Sequence, residues 1–556
     1  MIKLLQSFRS YATARNNCRR TATATPFSPV WQPSAFCFST TTATMAAVDA
    51  RVVASRLAVG SHKWATMDRK VYQDIVHTAI ANGITTLEVG QEGGDILMSE
   101  VLSTIASEEA AESSTTAPPR IELIQRVGYR ILTKNKHGMM GDVQVEETAT
   151  GTVQHNITAA ALQSALYDSY LLHAPSAQWK TTRTLLLHNP EVQITNDDMP
   201  LTQRQEHLRQ VLMDSFLYLQ EACLQQQEQQ HQQQADVKPH NMRGYGIVSN
   251  GLGLPNKHPL HLSWTDAILP ALQDVHSQLG MGDNDRPLDF KVVQLPVNLL
   301  ETTGLQVAQQ VDSDRKALDI LSERDLQIIA MRPLTCYPDR GTGDGKPFIL
   351  ADYQLPATMD KTLQWTQHMQ QPPAAYQVAL KTAMAHFDAT ELLDLKEEGI
   401  DLSTEQRETL DGCKLMQSLL HDVDASLESV RSFAQHEQDL FQRIIPLIHD
   451  TFEGYDEDTA QILQTFFGAY SLAVRYAIAK NTRQVLVEGD KDGSAPKYPD
   501  LSPDVALQEY ALHFLLQAKC IDKFLVGFSE PEQILQDMDI VHKYYLNQDN
   551  PGNSSS

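Results

Sequence analysis

The chain's first chemically suggestive residue is a histidine at the end of an apolar run: His188, in Leu187-His188-Asn189-Pro190-Glu191. Histidine is the side chain best suited to give or take a proton near neutral pH, though at a strand end it also serves as a structural hydrogen-bonding group. An acid and a base close two earlier apolar runs, Glu88 in Leu87-Glu88-Val89-Gly90 and Arg126 in Gln125-Arg126-Val127-Gly128. On neighbouring strand ends they can meet as an ion pair in which the guanidinium stays protonated. Later runs end in Ser249-Asn250, in Gln294-Leu295-Pro296-Val297-Asn298, in Met331-Arg332-Pro333 and in Ser529-Glu530-Pro531-Glu532-Gln533. Ser249 and Asn250 are also residue types that simply close a turn.

Other chemistries lack their spacing. No Gly-x-Ser-x-Gly elbow is present, which counts against a serine hydrolase. The run Arg340-Gly341-Thr342-Gly343-Asp344-Gly345-Lys346-Pro347 fails the phosphate-loop pattern because Lys346 precedes proline, so it reads as a Gly-rich flap. Asp490-Lys491-Asp492-Gly493 fails the calcium-loop spacing. The six cysteines form no CxxC pair, and no metal is expected. With 45 Lys+Arg against 69 Asp+Glu, the net charge of −24 argues against a general nucleic-acid or anionic-membrane binder, since both need a basic face. No apolar run reaches the roughly 18 residues of a membrane-spanning helix.

The elements that must position these residues are legible as alternation. Short β-type runs at 56–60, 84–88, 121–127, 182–188, 244–249, 290–295, 327–332 and 523–527 are separated by helical patterns at 68–81, 99–109, 158–170, 201–234, 264–278, 304–324 and 503–519. Eight such repeats predict an α/β fold, a (β/α)8 TIM barrel, with an open doubly wound sheet as the alternative. Segments 103–120 and 133–156 read as loops, and the Gln-rich 225–234 as a frayed helical extension. Between the seventh and eighth runs lie helical patterns at 374–398, 404–421, 425–452 and 458–480, the second opened by a Ser403/Gln406 capping box. The expected organisation is a leader at 1–48, a barrel from 50–357 and 484–540, a helical insertion at 358–483 and a disordered tail at 541–556. Residues 1–48 contain no acid and several arginines among Ser, Thr and Ala, the composition of an organellar transit peptide. A mitochondrial destination is expected, with the plastid as alternative.

In this order and on these strands, the set His188, Ser249-Asn250, Gln294, Arg332 and Ser529 to Gln533 resembles the aldo-keto reductase family. The resemblance spans the barrel but not the leader or the helical insertion. It implies NADPH or NADH as cofactor, NADP ahead of NAD, lying across the barrel mouth without a Rossmann fold. By that resemblance Ser249, Asn250 and Gln294 hold the nicotinamide carboxamide, Arg332 belongs to the cofactor set, and Ser529 and Gln533 take the adenosine end. Asp537 stands where many relatives have asparagine, and a carboxylate there disfavours a nearby phosphate. Arg340 or Lys346 could clasp the pyrophosphate.

The proton-transfer half departs from the family. Its tyrosine is missing: Gly93 or a neighbour falls at that position, and no tyrosine lies between Tyr72 and Tyr129. Arg126 stands for the family lysine, Glu88 for its aspartate, and only His188 keeps its identity. His188, Glu92 or Tyr129 are the substitutes for the lost acid. Two functions follow. One is a divergent NAD(P)(H)-dependent oxidoreductase acting on a small-molecule carbonyl, with His188, Glu88 and Arg126 as catalytic residues. The other is an inactive barrel serving as a cofactor-sensing or protein-interaction module, its partner bound through the helical insertion.

Overall fold

The structure, a computed structural model of the 556-residue chain, describes residues 52–60, 68–90, 94–111, 120–132, 143–148, 151–167, 169, 180–194, 200–232, 242–281, 287–306, 308–310, 313–337, 348–351, 365–427, 430, 457–489, 498–502 and 505–548. The leader, the flap at 340–347, Glu92, Gly93, most of the helix expected at 425–452 and the Asp490 turn lie outside them.

Eight parallel strands close a barrel: β1 (Leu57–Val59), β2 (Thr86–Val89), β3 (Arg120–Val127), β4 (Lys180–His188), β5 (Met242–Val248), β6 (Phe290–Pro296), β7 (Gln327–Met331) and β8 (Lys523–Val526). Their order is β1-β8-β7-β6-β5-β4-β3-β2. Closure is made by Phe524, Leu525 and Val526 of β8, which register with Leu57, Ala58 and Val59 of β1. This excludes the open sheet. Side chains two apart on a strand share a face, and Ala58, Ile124, Leu186, Val248, Val292, Ile329, Met331 and Leu525 form one buried cluster from seven of the strands. The exception is β2. Its Thr86 and Glu88 register with Glu122 and Ile124 of β3 and bring polar groups inside. A Cβ on Gly246 would lie 1.9 Å from the Val292 carbonyl oxygen, so the close approach of β5 to β6 requires glycine there.

Several local expectations are corrected. The helix Gly94–Ala111 covers the first part of the segment read as a loop at 103–120. The segment read as a loop at 133–156 contributes to a three-stranded antiparallel sheet of Tyr129–Leu132, Val143–Thr148 and Gly151–His155. Its valine–polar alternation is the period-2 pattern of a strand, in runs too short to stand out. The helix expected at 304–324 is broken into Thr303–Gln306, a hairpin of Ala308–Gln310 with Ser313–Lys316, and Ala317–Ser322. The last helix before β8 runs Leu507–Gln517, and Pro503, where its start was expected, lies outside the described residues. The final helix, Pro531–Gln548, extends into the tail expected to be disordered from 541; Val541 is fully buried, which anchors it.

The chain divides into two compact units. The first holds the barrel. The second comprises Val297–Thr302 and Arg332–Gln517, a wider span than the expected 358–483. It contains the helices Trp365–His386, Thr390–Glu397, Thr404–Ser426 and Glu457–Glu488. The Ser403/Gln406 capping box is formed. Tyr376, Phe466 and Tyr470 make its aromatic core, with Phe466 and Tyr470 stacked at 5.8 Å and the Tyr376 hydroxyl donating to Asp424 at 2.9 Å. Among the described residues no helix is long and apolar enough to cross a membrane.

Candidate active site at the barrel mouth

Strand ends point their last inward side chains into the mouth, and among them Glu88 is buried, its side chain 2% exposed. Arg126 Nη2 pairs with its Oε1 at 3.1 Å. Gln294 Nε2 donates to its Oε2 at 2.9 Å. β2 and β6 stand opposite each other in the ring, so this hydrogen bond crosses the barrel interior. A carboxylate only accepts, so the amide orientation is fixed and Gln294 must present its carbonyl oxygen elsewhere. That Oε1 is buried without a hydrogen-bond partner among the described residues, and so is Arg126 Nε. Burying such groups costs about 1–3 kcal/mol each.

One inward step beyond Leu186, which registers with Arg126, lies His188. It is half-buried, and its ring meets that of Tyr129 edge-on at 4.8 Å. His155 also meets the Tyr129 ring edge-on, at 4.9 Å. Gln193 Nε2 lies 2.7 Å from His155 Nδ1, and His155 Nε2 lies 2.6 Å from the His188 carbonyl oxygen. An amide nitrogen donates and a carbonyl accepts, so His155 is the neutral tautomer with its proton on Nε2. Burial agrees with this, pushing its pKa down to about 4. A Cβ on Gly128 would lie 2.8 Å from both His155 Nε2 and the His188 carbonyl oxygen, so the hydrogen bond needs glycine at that exit from β3.

The next residue, Asn189, has φ +48°, a left-handed conformation that asparagine tolerates. Its Oδ1 accepts from the backbone N–H of Asn250 at 3.1 Å and from Asn250 Nδ2 at 3.0 Å. Its own Nδ2 donates to the Tyr129 hydroxyl oxygen at 3.2 Å. Ser249 donates to Glu191 at 2.9 Å and accepts from the Leu252 N–H, while Glu191 also accepts from the Gly251 N–H. Ser249 thus closes its own turn, whereas the Asn250 side chain reaches to Asn189 on the loop after β4. Gln533 Oε1 accepts from the Ser529 N–H at 2.8 Å and so closes the turn after β8. Arg332, in the second unit, has φ +58°, pairs with Glu301 at 2.5 Å and lies 5.2 Å over the Tyr337 ring.

The structure therefore joins Glu88, Arg126 and Gln294 in one cluster, and His188 to Asn250 through Tyr129 and Asn189. Residue types and spacing assign no role to His155, Gln193, Asn189 or Glu191. A glycine directly after β3 was the available sign of a close approach, and it carries no direction. Among the described residues no cluster could hold a metal ion.

No family model matches the sequence, and no curated protein matches it. Among solved structures the chain is similar to an aldo-keto reductase from Bacillus halodurans in its holo form, at 11% identity over 87% of this chain and 86% of that one, with a TM-score of 0.33. It is also similar to a thermostable aldo-keto reductase in complex with the inhibitor epalrestat, at 12% identity over 66% of this chain and 94% of that one, with a TM-score of 0.23. These belong to the family that the strand-end residues resemble. The (β/α)8 fold itself rests on the closed strand pairing.

Proposed function

We propose that the barrel is an NAD(P)(H)-dependent oxidoreductase acting on a small-molecule carbonyl/alcohol pair. The observation that carries this reading is the Gln294 carbonyl oxygen, oriented by Glu88 and buried without a partner. A nicotinamide carboxamide carries the N–H donor that such an acceptor lacks, so the residues fit the group at this point. Gln294 would hold the amide, and Asn250, half-buried, would border it. When bound, the cofactor supplies the hydride. The chain's part is to fix the carbonyl beside His188 and to deliver a proton to its oxygen, with the Glu88–Arg126 pair holding the floor beneath. The acid-free leader is proposed to take the protein to the mitochondrion.

Titration of NADPH and of NADH into the protein, followed by nicotinamide fluorescence, tests this. Saturable binding is expected, weakened about tenfold, or roughly 1.4 kcal/mol, by Gln294→Leu. If neither nucleotide binds, the reading fails. A second reading, a barrel without catalysis that serves as a cofactor-sensing or partner-binding module, draws on the engagement of Ser249 and Asn250 by Glu191 and Asn189 and of Gln533 by its own loop. It expects binding without turnover, or no binding at all.

A further inference from the structure

We infer that a cleft on the outer wall of the barrel, at its base, binds a compact apolar monocarboxylate. The inference stands apart from the oxidoreductase reading and from the mouth. The cleft has a volume of about 310 Å³ and lies between the helix Leu269–Gln278 and the segments that lead into β6 and β7. Parallel strands all start at one end of the ring, so these segments mark the end opposite the mouth. Small-molecule sites run from about 300 to 1,000 Å³, so the cleft suits a ligand at the small end of that range.

A helix on the outside of a barrel ordinarily buries one stripe and offers water a polar face. This one buries Ala271 and Val275, yet Leu269, Leu272 and His276, spaced to share another face, line the cleft half-buried. Its neighbour before β7, Ala317–Ser322, has six residues and spans about 9 Å. The seven residues of β6 span about 23 Å, so that short helix leaves the start of the strand open. Two departures from regular geometry meet there. Tyr245 and Gly246 of β5 register with Phe290 and Val292, which makes Lys291 an extra residue, a bulge of the kind that re-aims side chains. The turn Trp264–Ile268 is π-helical, with the Ile268 N–H donating to the Ser263 carbonyl at 3.3 Å, a geometry frequent at functional sites. Trp264, Phe290 and Lys291 all line the cleft, and the two rings lie 6.1 Å apart.

The lining has the chemistry to hold an acid with an apolar body. Trp264 is 2% exposed, and its indole N–H is buried without a hydrogen-bond partner among the described residues. Buried indoles ordinarily find one. An indole nitrogen only donates, so the missing group is an acceptor. Lys291, half-buried, and Arg324, exposed, bring two cations to the same lining, with the His276 imidazole beside them and the exposed Asp325 as the opposing carboxylate. A carboxylate supplies the acceptor and meets the cations, while its alkyl or aryl body covers Trp264, Phe290, Leu269 and Leu272. A bare inorganic anion would leave that apolar wall wet.

The test uses the full chain and sodium octanoate, followed by isothermal titration calorimetry, with octan-1-ol as an uncharged body of equal length. One octanoate per chain is expected, with a Kd below about 1 mM. Octan-1-ol should bind about tenfold more weakly, or less tightly still, for want of the charged hydrogen-bond acceptor. Trp264→Phe keeps a ring but removes the N–H, and should weaken octanoate by about tenfold. Arg324→Glu reverses a charge at an exposed position and should weaken octanoate by about tenfold or more through like-charge repulsion, with octan-1-ol unaffected. Octanoate that does not bind saturably to wild type overturns the inference, and so does octan-1-ol that binds as tightly. If Trp264→Phe fails to fold, Arg324→Glu decides alone. An Arg324→Glu chain that binds octanoate as wild type does overturns the inference, because the acid then sits elsewhere on the molecule.

Discussion

Among the described residues the barrel holds two interior ion pairs, one at each end of its apolar plug, and they differ in what they leave over. At the base, Lys523 Nζ lies 2.7 Å from Thr86 Oγ1 and 3.8 Å from Glu122, while Thr86 donates to Glu122 at 3.0 Å. The three side chains satisfy one another, and none has an orphaned buried atom among the described residues. At the mouth, Arg126 and Gln294 clasp Glu88 but leave Arg126 Nε and Gln294 Oε1 buried without partners there. Opposite charges are hydrogen-bonded completely at one end and incompletely at the other, the first pair reaching from β8 to β3 and the second joining the adjacent β2 and β3. A closed network returns its desolvation cost in hydrogen bonds, whereas an open one leaves part of that cost standing. This matches the bias of such barrels toward stability at the base and chemistry at the mouth.

The comparison can be broken by measuring each end. The largest effect is expected from Arg126→Ala, which strands a carboxylate that is 2% exposed. Loss of a partner from a buried pair costs about 3–5 kcal/mol, visible as a lowered urea midpoint at unchanged slope. Next is acid. Burial holds the His155 imidazole at about 4, against an ordinary 6.5. Between those values the unfolded chain binds more protons than the folded one. The contribution is therefore complete above about pH 6.5 and is lost as pH falls toward 4. The interval corresponds to about 3 kcal/mol. Urea midpoints at pH 7 and pH 4.5 should diverge in wild type and converge in His155→Gln; equal divergence in both would remove His155 as the cause. The smallest effect belongs to the base. Lys523→Met leaves the Thr86 hydroxyl on Glu122, whose side chain is 20% exposed and can hydrate. A loss of about 1–2 kcal/mol is expected. If it equals that of Arg126→Ala, the two ends are energetically alike and the contrast fails.

Much of the frame was legible because burial on both faces writes a β-type run into the sequence, as in Thr184-Leu185-Leu186-Leu187 and Lys291-Val292-Val293. The Glu88–Arg126 contact was legible too, since adjacent parallel strands bring their ends together. The small sheet was not, because Val143-Gln144-Val145-Glu146 is short and polar and gains its structure from pairing with a distant segment. The roles of Ser249 and Asn250 were hidden for a related reason. Their residue types suit a cofactor amide and a turn equally well, and their partners Glu191 and Asn189 lie on a distant segment after β4. Arg332 was readable as a cation at a strand end, but its Glu301 partner lies on a segment whose folding no local pattern announces.

The separation between β7 and β8 has a consequence for how the chain comes off the ribosome. The Lys523–Thr86 hydrogen bond joins positions 437 residues apart, and the whole of 332–517 is synthesised between the two strands that flank the seam. Until β8 emerges, β1 and β7 are edges whose backbone groups lack the partners they have in the finished ring. Contacts of such range are slow to form, and unpaired edges invite association with other chains while they wait. The second unit can acquire its helices during that interval, whereas the mouth, with Glu88 on β2 and Gln294 on β6 fixed across it, is completed only when the last strand arrives.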